Sequence, residues 1–290
     1  MSTPKILIQL DGDPHASVFD SVVAVDAGVD HLFRHPSVAP DQVRDLTYGA
    51  MFTRAPDELK NTAIFVGGSD VAIGEQLLDE VAKCFFGPMR VSVMLDANGA
   101  NTTAAAAVLA AGRHVDLKDA SSLVLAATGP VGQRAVHLLA KAGAKVRVAS
   151  RSSERAGEVC QRVQSKIGDA DLTEVAVNDA ESLQNALDGV AVVIAAGAAG
   201  IQLLPEDARR AAKNLKVAID LNAVDPVGIE GVGVTDKAAD YDGVVCYGAI
   251  GVGGTKMKIH KAAIRQLFQS NDQVLDADEI YAIGKSLEKA

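Results

Sequence analysis

Residues 120–155 read ASSLVLAATGPVGQRAVHLLAKAGAKVRVASRSSER, and the fold of the whole chain turns on them. Leu123-Val124-Leu125-Ala126 is an apolar run suited to a strand buried on both faces. The turn Ala127-Thr128-Gly129-Pro130-Val131-Gly132 follows, after which Val136, Leu138, Leu139 and Ala142 recur at helical spacing. Gly143 ends that helix, and Lys145 to Ala149 reads as the next strand. A strand, helix and strand joined this way bind a dinucleotide, with the pyrophosphate resting on exposed N–H groups at the helix N-terminus.

The glycine pattern is incomplete, because Ala127 stands where G-x-G-x-x-G has its first member, before Gly129 and Gly132. The strand before it and the helix after it carry the assignment, and Thr128, Gly129, Pro130, Val131 and Gly132 are the expected pyrophosphate cradle. An NAD-binding chain places Asp or Glu at the end of the second strand to hold the ribose 2′-OH. This chain has Ser150-Arg151-Ser152-Ser153 there. One guanidinium and three hydroxyls without a carboxylate suit a 2′-phosphate, so NADP is expected in preference to NAD, which would bind more weakly. The competing reading of the same four residues is a solvated loop opening a helix, with Ser153 as its N-cap.

Outward from this unit, 290 residues are enough for about two domains. With 48% apolar and 22% charged residues the chain has the composition of a globular protein. A net charge of -9 and no basic patch argue against nucleic acid as partner. Cys84, Cys160 and Cys246 are widely separated and odd in number, the usage of reduced thiols in a cytoplasmic protein. No signal peptide is expected, and the longest apolar run, Val190 to Ile201, is too short for a membrane span. Six histidines, at 15, 31, 35, 114, 137 and 260, never fall at ligand spacing, so no metal site is expected.

Before the opening stretch, strand-like and helix-like segments alternate: strands at Ile6–Leu10, Thr62–Val66 and Arg90–Leu95, helices at Ser17–Ala27 and Val71–Cys84. After it the same alternation continues, with strands at 173–177, 191–195, 216–220 and 243–247 and helices at 156–167, 180–187 and 205–212. The fold class is α/β: a Rossmann-type doubly wound parallel sheet plus an N-terminal α/β domain. The expected boundaries are 1–103 for the N-terminal domain, 104–261 for the dinucleotide domain, and 262–290 as helices packing back on the first. Ligands sit beyond the carboxyl ends of such strands, so Asp11-Gly12-Asp13, Gly67-Gly68-Ser69 and Asp96-Ala97-Asn98-Gly99 should converge on one edge. In the second sheet Ala196, Gly197 and Asn222 end strands in the same way and are expected near the cofactor. Asn101 is read as an N-cap opening an alanine-rich helix. Gly248, Gly251, Gly253 and Gly254, four glycines in seven residues, predict a loop that approaches a ligand closely, Gly253 on the cofactor side. Lys256 at the end of that loop is placed in the cleft, while Lys258 and Lys261 form a solvated face.

Taken together, these segments resemble the NADP-dependent methylene-tetrahydromethanopterin dehydrogenases of methylotrophic and related bacteria. The resemblance rests on Ser17-Val18-Phe19-Asp20, Ala63-Ile64-Phe65-Val66-Gly67-Gly68, Phe85-Phe86-Gly87-Pro88, Asp96-x-Asn98-Gly99-x-Asn101-Thr102-Thr103, Thr128-Gly129-Pro130-Val131-Gly132 and Gly248-Ala249-Ile250-Gly251-x-Gly253-Gly254-x-Lys256. It implies two domains facing a cleft, assembly as homo-oligomers, typically trimers, and oxidation of a methylene tetrahydropterin carrier to its methenyl form in one-carbon metabolism. Some members accept the tetrahydrofolate analogue as well. The resemblance further implies that Asp20 and Lys256 bind the pterin at the reacting end. Asn98, Asn101 and Thr102, whose rival reading is N-capping, are further substrate candidates, with Asp13, Gly67 and His260 after them, the histidine reading also as a packing residue. Hydride loss from a carbon between two nitrogens leaves a delocalised cation, so no acid or base is required and alignment carries the catalysis. Two other readings stay open on the residues alone: a two-domain NADP reductase of the shikimate dehydrogenase type, working through a Lys/Asp acid–base pair, and a non-catalytic NADP sensor.

Overall fold

The computed structural model describes residues 3–289. In chain order the elements are β1 Ile6–Asp11, α1 Val18–Asp26, β2 His31–His35, α2 Val43–Met51, β3 Thr62–Gly67, α3 Val71–Lys83, β4 Ser92–Leu95 and α4 Ala100–Gly112. Then follow β5 Ser121–Leu125, α5 Pro130–Lys141, β6 Lys145–Ser150, α6 Ser153–Lys166, β7 Leu172–Ala176, α7 Ala180–Leu187, β8 Val192–Ala195, α8 Glu206–Ala211, β9 Val217–Asp220, β10 Lys237–Tyr241 and β11 Val244–Tyr247. The chain closes with α9 Ala249–Gln266, β12 Val274–Leu275 and α10 Ala277–Leu287.

These elements form two units. One comprises the chain up to Thr102 together with the chain from Met257 onward; the other is Thr103–Lys256. The changeovers fall inside α4 and inside α9 rather than in loops. Residues 257–261, expected with the dinucleotide domain, therefore group with the first unit.

In the first unit five parallel strands lie in the order β2-β1-β3-β4-β12. The order of the first four reverses between β1 and β3, which is the switch point of a flavodoxin-like sheet. β3 is buried at all six positions and β4 at all four, as continuous apolar runs in a central parallel strand require. In the second unit the order is β7-β6-β5-β8-β9-β11-β10, parallel except for β10 against β11. Its reversal falls between β5 and β8, the position at which a Rossmann sheet opens a crevice. Leu123, Leu125, Val193, Ala218 and Cys246 form one layer of its core with Leu183 and Leu187 of α7.

The structure departs from the sequence reading at five elements. β2 and β10 were not expected: HLFRH and KAADY are edge strands with mostly exposed side chains, so neither shows an apolar alternation. α2, a polar-faced helix preceded by a 3-10 turn at Pro40–Gln42, was likewise unassigned. β12 has only two residues and gains its strand character by pairing with Val93 and Met94. Of the predicted glycine loop at 248–256, residues 249–256 are instead the first half of α9. Packing supplies the reason: a Cβ on Gly248 would collide with the carbonyl of Gly233, and one on Gly251 with the carbonyl of Asp236. Close approach of backbones selects the glycines there, and the helix runs through them despite their entropic cost.

Candidate functional site

The dinucleotide turn in the second unit is built by the β5–α5 junction. Gly129 is the N-cap residue of α5 in extended conformation, and Pro130 opens the helix. Proline suits that first position because its absent N–H has no intrahelical partner to lose. A Cβ on Gly132 would lie 2.8 Å from the Ala126 carbonyl and 2.8 Å from the Ala127 Cα, so only glycine lets α5 seat on the turn. Gly129 lies 3.7 Å, measured from where its Cβ would be, from the carbonyl oxygens of Ala126 and Ala196, with no side chain to cover the α5 N-terminus. Ala196, whose N–H donates to Leu125 O at 3.1 Å, thus stands beside the turn at the switch point.

Ala127 has an explanation in the backbone. The left-handed residue of this turn is Ala126, at φ 54°, while Ala127 is buried and its N–H donates to Ala149 O at 2.9 Å. Loss of the first glycine at 127 therefore costs no left-handed conformation. The Gln133 side chain donates to Thr128 O at 2.7 Å, and Arg162 of α6 donates to Gln133 at 2.6 Å, which holds Thr128 in the turn. Val131, half-buried, follows Pro130 in the first turn of α5.

At the end of β6, Ser152 rather than Ser153 caps α6, accepting from the Arg155 N–H at 3.3 Å. The Ser150 hydroxyl accepts from the Ser152 N–H at 3.3 Å, and Arg151 is exposed between them. A turn with a bare α5 N-terminus and an Arg but no carboxylate beyond β6 fits a dinucleotide carrying a 2′-phosphate.

Other expected cofactor residues are committed elsewhere. Asn222 is buried, with its side chain donating to Pro226 O at 3.0 Å and accepting from the Val224 N–H at 2.8 Å. Asp220 accepts from the N–H groups of Asn222 and Ile229 at 2.9 Å each, and burial raises its carboxyl above the ordinary value. Asn222 thus holds the loop after β9. Gly197 packs on Leu203, whose Cδ1 stands 2.7 Å from where a Cβ would be, and Gly253 lies in α9 with no atom within 4 Å of its Cβ position.

In the first unit the three loops beyond β1, β3 and β4 meet at one sheet edge. Asp11 is fully buried and accepts from the N–H groups of Asp13 and Ser17, both at 3.0 Å. Asp13 accepts from the Ser69 N–H at 2.9 Å and its hydroxyl at 2.8 Å, tying the β1 loop to the β3 loop. Gly67 ends β3 with Asp11 Oδ2 at 3.4 Å and Asp20 Oδ2 at 3.6 Å from where its Cβ would stand. Asn98, exposed and left-handed at φ 54°, donates its N–H to Gly68 O at 2.6 Å.

Asp20 sits in the first turn of α1, its N–H held by the Ser17 side chain at 3.2 Å. Its Oδ1 is 4.0 Å from Nε2 of His260, which is completely buried. Nδ1 of His260 is 3.8 Å from Asp96 Oδ2, and its ring stacks on Phe65 at 5.7 Å. Asp96 was missed among the candidate side chains; it had been noted only as the opening of a loop, since burial of an acid is invisible in sequence. Among the described residues no group of three His, Cys, Asp or Glu is placed to hold a metal ion.

Thr102 and Asn101 face inward. Thr102 donates its hydroxyl to Asp96 Oδ2 at 2.7 Å and its N–H to Oδ1 at 3.0 Å. Asn101 is not the expected N-cap: it lies inside α4, and its amide donates to Leu95 O at 2.6 Å and Asp276 at 2.8 Å. It pins the α10 entry to the end of β4. Lys256 lies on α9 four residues before His260, on the same helix face.

Residues 18–98 match the family described as methylene-tetrahydromethanopterin dehydrogenase, N-terminal, and residues 126–269 match one described as NAD(P)H-binding. The chain is 43% identical to bifunctional protein MdtA of Methylorubrum extorquens strain AM1 over 98% of its own length and 99% of that protein's. The chain belongs to the methylene-tetrahydromethanopterin dehydrogenase family. A second relative from that organism, NAD(P)-dependent methylenetetrahydromethanopterin dehydrogenase, is 30% identical over 96% of this chain and 97% of its own. Among solved structures, shikimate 5-dehydrogenase from Listeria monocytogenes superposes with a TM-score of 0.53 at 14% identity, covering 97% of this chain and 96% of its own. Quinate dehydrogenase from Corynebacterium glutamicum gives 0.52 at 12%, covering 98% and 100%. These likenesses bear on the fold of this dehydrogenase family member, whose second unit is the NAD(P)-binding one. None of its described helices is long and apolar enough to cross a membrane.

Proposed function

We propose that this chain oxidises a methylene-tetrahydropterin of the tetrahydromethanopterin class to the methenyl form with NADP as hydride acceptor. The observation that carries the reading is the acidic edge of the first unit, where Asp20 and Gly67, both within the segment that matches the family's N-terminal region, come together with Asp11. The Asp20 carboxylate can accept the paired donors of an amino-pyrimidine edge, and Lys256 can donate to its carbonyl oxygen. Asp13, Gly67 and Asn98 shape the rim, and Thr102 and Asn101 hold it from behind.

Bound on the α5 N-terminus, NADP supplies a nicotinamide C4 that takes up the hydride. The chain's own task is orientation and charge. Thr128, Val131 and Gly132 would present backbone N–H groups to the pyrophosphate. Carboxylates at the pterin edge favour the positive charge that spreads over two nitrogens as hydride leaves. Neither step asks a side chain to give or take a proton. The protein works as a homo-oligomer, a trimer by the family resemblance, in the cytoplasm; its three free thiols are buried, and burial raises Cys246 to about 11.

The test is purified protein with methylene-tetrahydromethanopterin or methylene-tetrahydrofolate and NADP, followed by absorbance of the reduced nicotinamide. Turnover with at least one pterin is expected, the first preferred; none with either would overturn the assignment and favour a sensor. For the cofactor, Arg151→Ala should raise KM for NADP about 10-fold, the worth of one charge-assisted hydrogen bond, and leave KM for NAD unchanged. Equal changes for both would show that Arg151 does not read the 2′-phosphate.

A further inference from the structure

Asp96, His260 and Thr102 form a chain of contacts that ends on Asp20, and its members differ in exposure. Asp96 and His260 are buried, while Asp20 is 13% exposed. Thr102 occupies both Asp96 oxygens at 3.0 and 2.7 Å, so Asp96 has one orientation. The His260 ring is held flat against Phe65, with an interplanar angle of 18°. Its two nitrogens then face two different carboxylates, Asp96 at 3.8 Å and Asp20 at 4.0 Å.

A neutral imidazole carries one N–H and one lone pair, so between two carboxylates one nitrogen would present its lone pair to an anion. An imidazolium donates toward both. Asp11 lies across Gly67 from Asp20, and Lys256 precedes His260 by one turn of α9. Asp11 adds negative charge on the Asp20 side, which favours the imidazolium.

We propose that His260 is an imidazolium anchored by Asp96, and that the pair are positioning residues that fix the Asp20 carboxylate for the pterin. This rests on the substrate reading given above. With the ring charged, Asp20 is drawn toward a buried donor and held in one orientation at the edge. With Asp96→Asn the amide can donate to Nδ1 while its oxygen keeps the Thr102 N–H, so a neutral ring satisfies both neighbours and still donates to Asp20.

The experiment uses the full chain with 15N-labelled histidine. In the wild type at neutral pH both His260 ring nitrogens should carry protons; in D96N at the same pH only one should. H260F, which keeps a ring against Phe65 and lacks donors, assigns the signals by their loss. H260F should also lower kcat/KM for the methylene-tetrahydropterin about 10- to 100-fold through misplaced Asp20, with Kd for NADP unchanged. H260Q, with an amide donor, should recover part of the loss. A neutral His260 ring in the wild type overturns the proposal, as does an H260F enzyme within about twofold of wild type; should H260F not fold, the wild-type and D96N spectra decide. If the wild type turns over no tetrahydropterin while its His260 is doubly protonated, the substrate reading fails and the charged array stands.

Discussion

A Gly251→Ala chain should melt roughly 6–12 °C below the wild type in calorimetry. The added Cβ would meet the Asp236 carbonyl, and neither partner is the end of a flexible side chain. Overpacking of that kind costs about 3 kcal/mol, and each kcal/mol is worth about 2–4 °C in a unit of this size. Gly254→Ala makes the contrast within the same helix. Gly254 is exposed and has no atom within 4 Å of its Cβ position, so alanine there should stabilise the chain by about 0.5–1 kcal/mol through helix propensity. Were both substitutions neutral, the helix would not be where the glycines are packed.

Removing the Asp20 carboxylate should cost the enzyme most of its turnover. In Asp20→Ala the loss of charged hydrogen bonds to the pterin edge is worth about 2–3 kcal/mol, roughly 30- to 150-fold in kcat/KM. Lys256→Ala should follow in the same direction. NADP affinity, measured by protein fluorescence or calorimetry, should stay as in the wild type for both. A parallel loss of NADP binding would mean that the substitution had disturbed the fold, and full turnover in Asp20→Ala would take the residue out of the site.

Much of the frame was legible in the sequence because each signal had one physical source. β5, α5 and β6 follow from an apolar run, a glycine turn and a helical period, and α7 was expected over the same residues, 180–187, that it occupies. The loops at Asp11, Gly67 and Asp96 were placed on one edge by strand polarity alone, and within the first unit they meet. What was hidden depended on partners remote in the chain. Gly248 and Gly251 read as part of a loop since their close neighbours, Gly233 and Asp236, belong to another segment. Asn101 looked like a cap, yet its amide reaches Asp276. Asp96 gained meaning only from the histidine beside it, which arrives from α9.

The split composition of the first unit sets an order of events during synthesis. The dinucleotide-binding unit is one unbroken stretch and has all its strands once Lys256 has been made. The other waits: its fifth strand, β12, and the imidazole that faces Asp20 both follow that stretch in the chain. The edge that carries Asp20 and His260 is therefore the later of the two to be assembled on the ribosome, and a chain stalled within α9 would carry a finished NAD(P)-binding fold and an unfinished first unit.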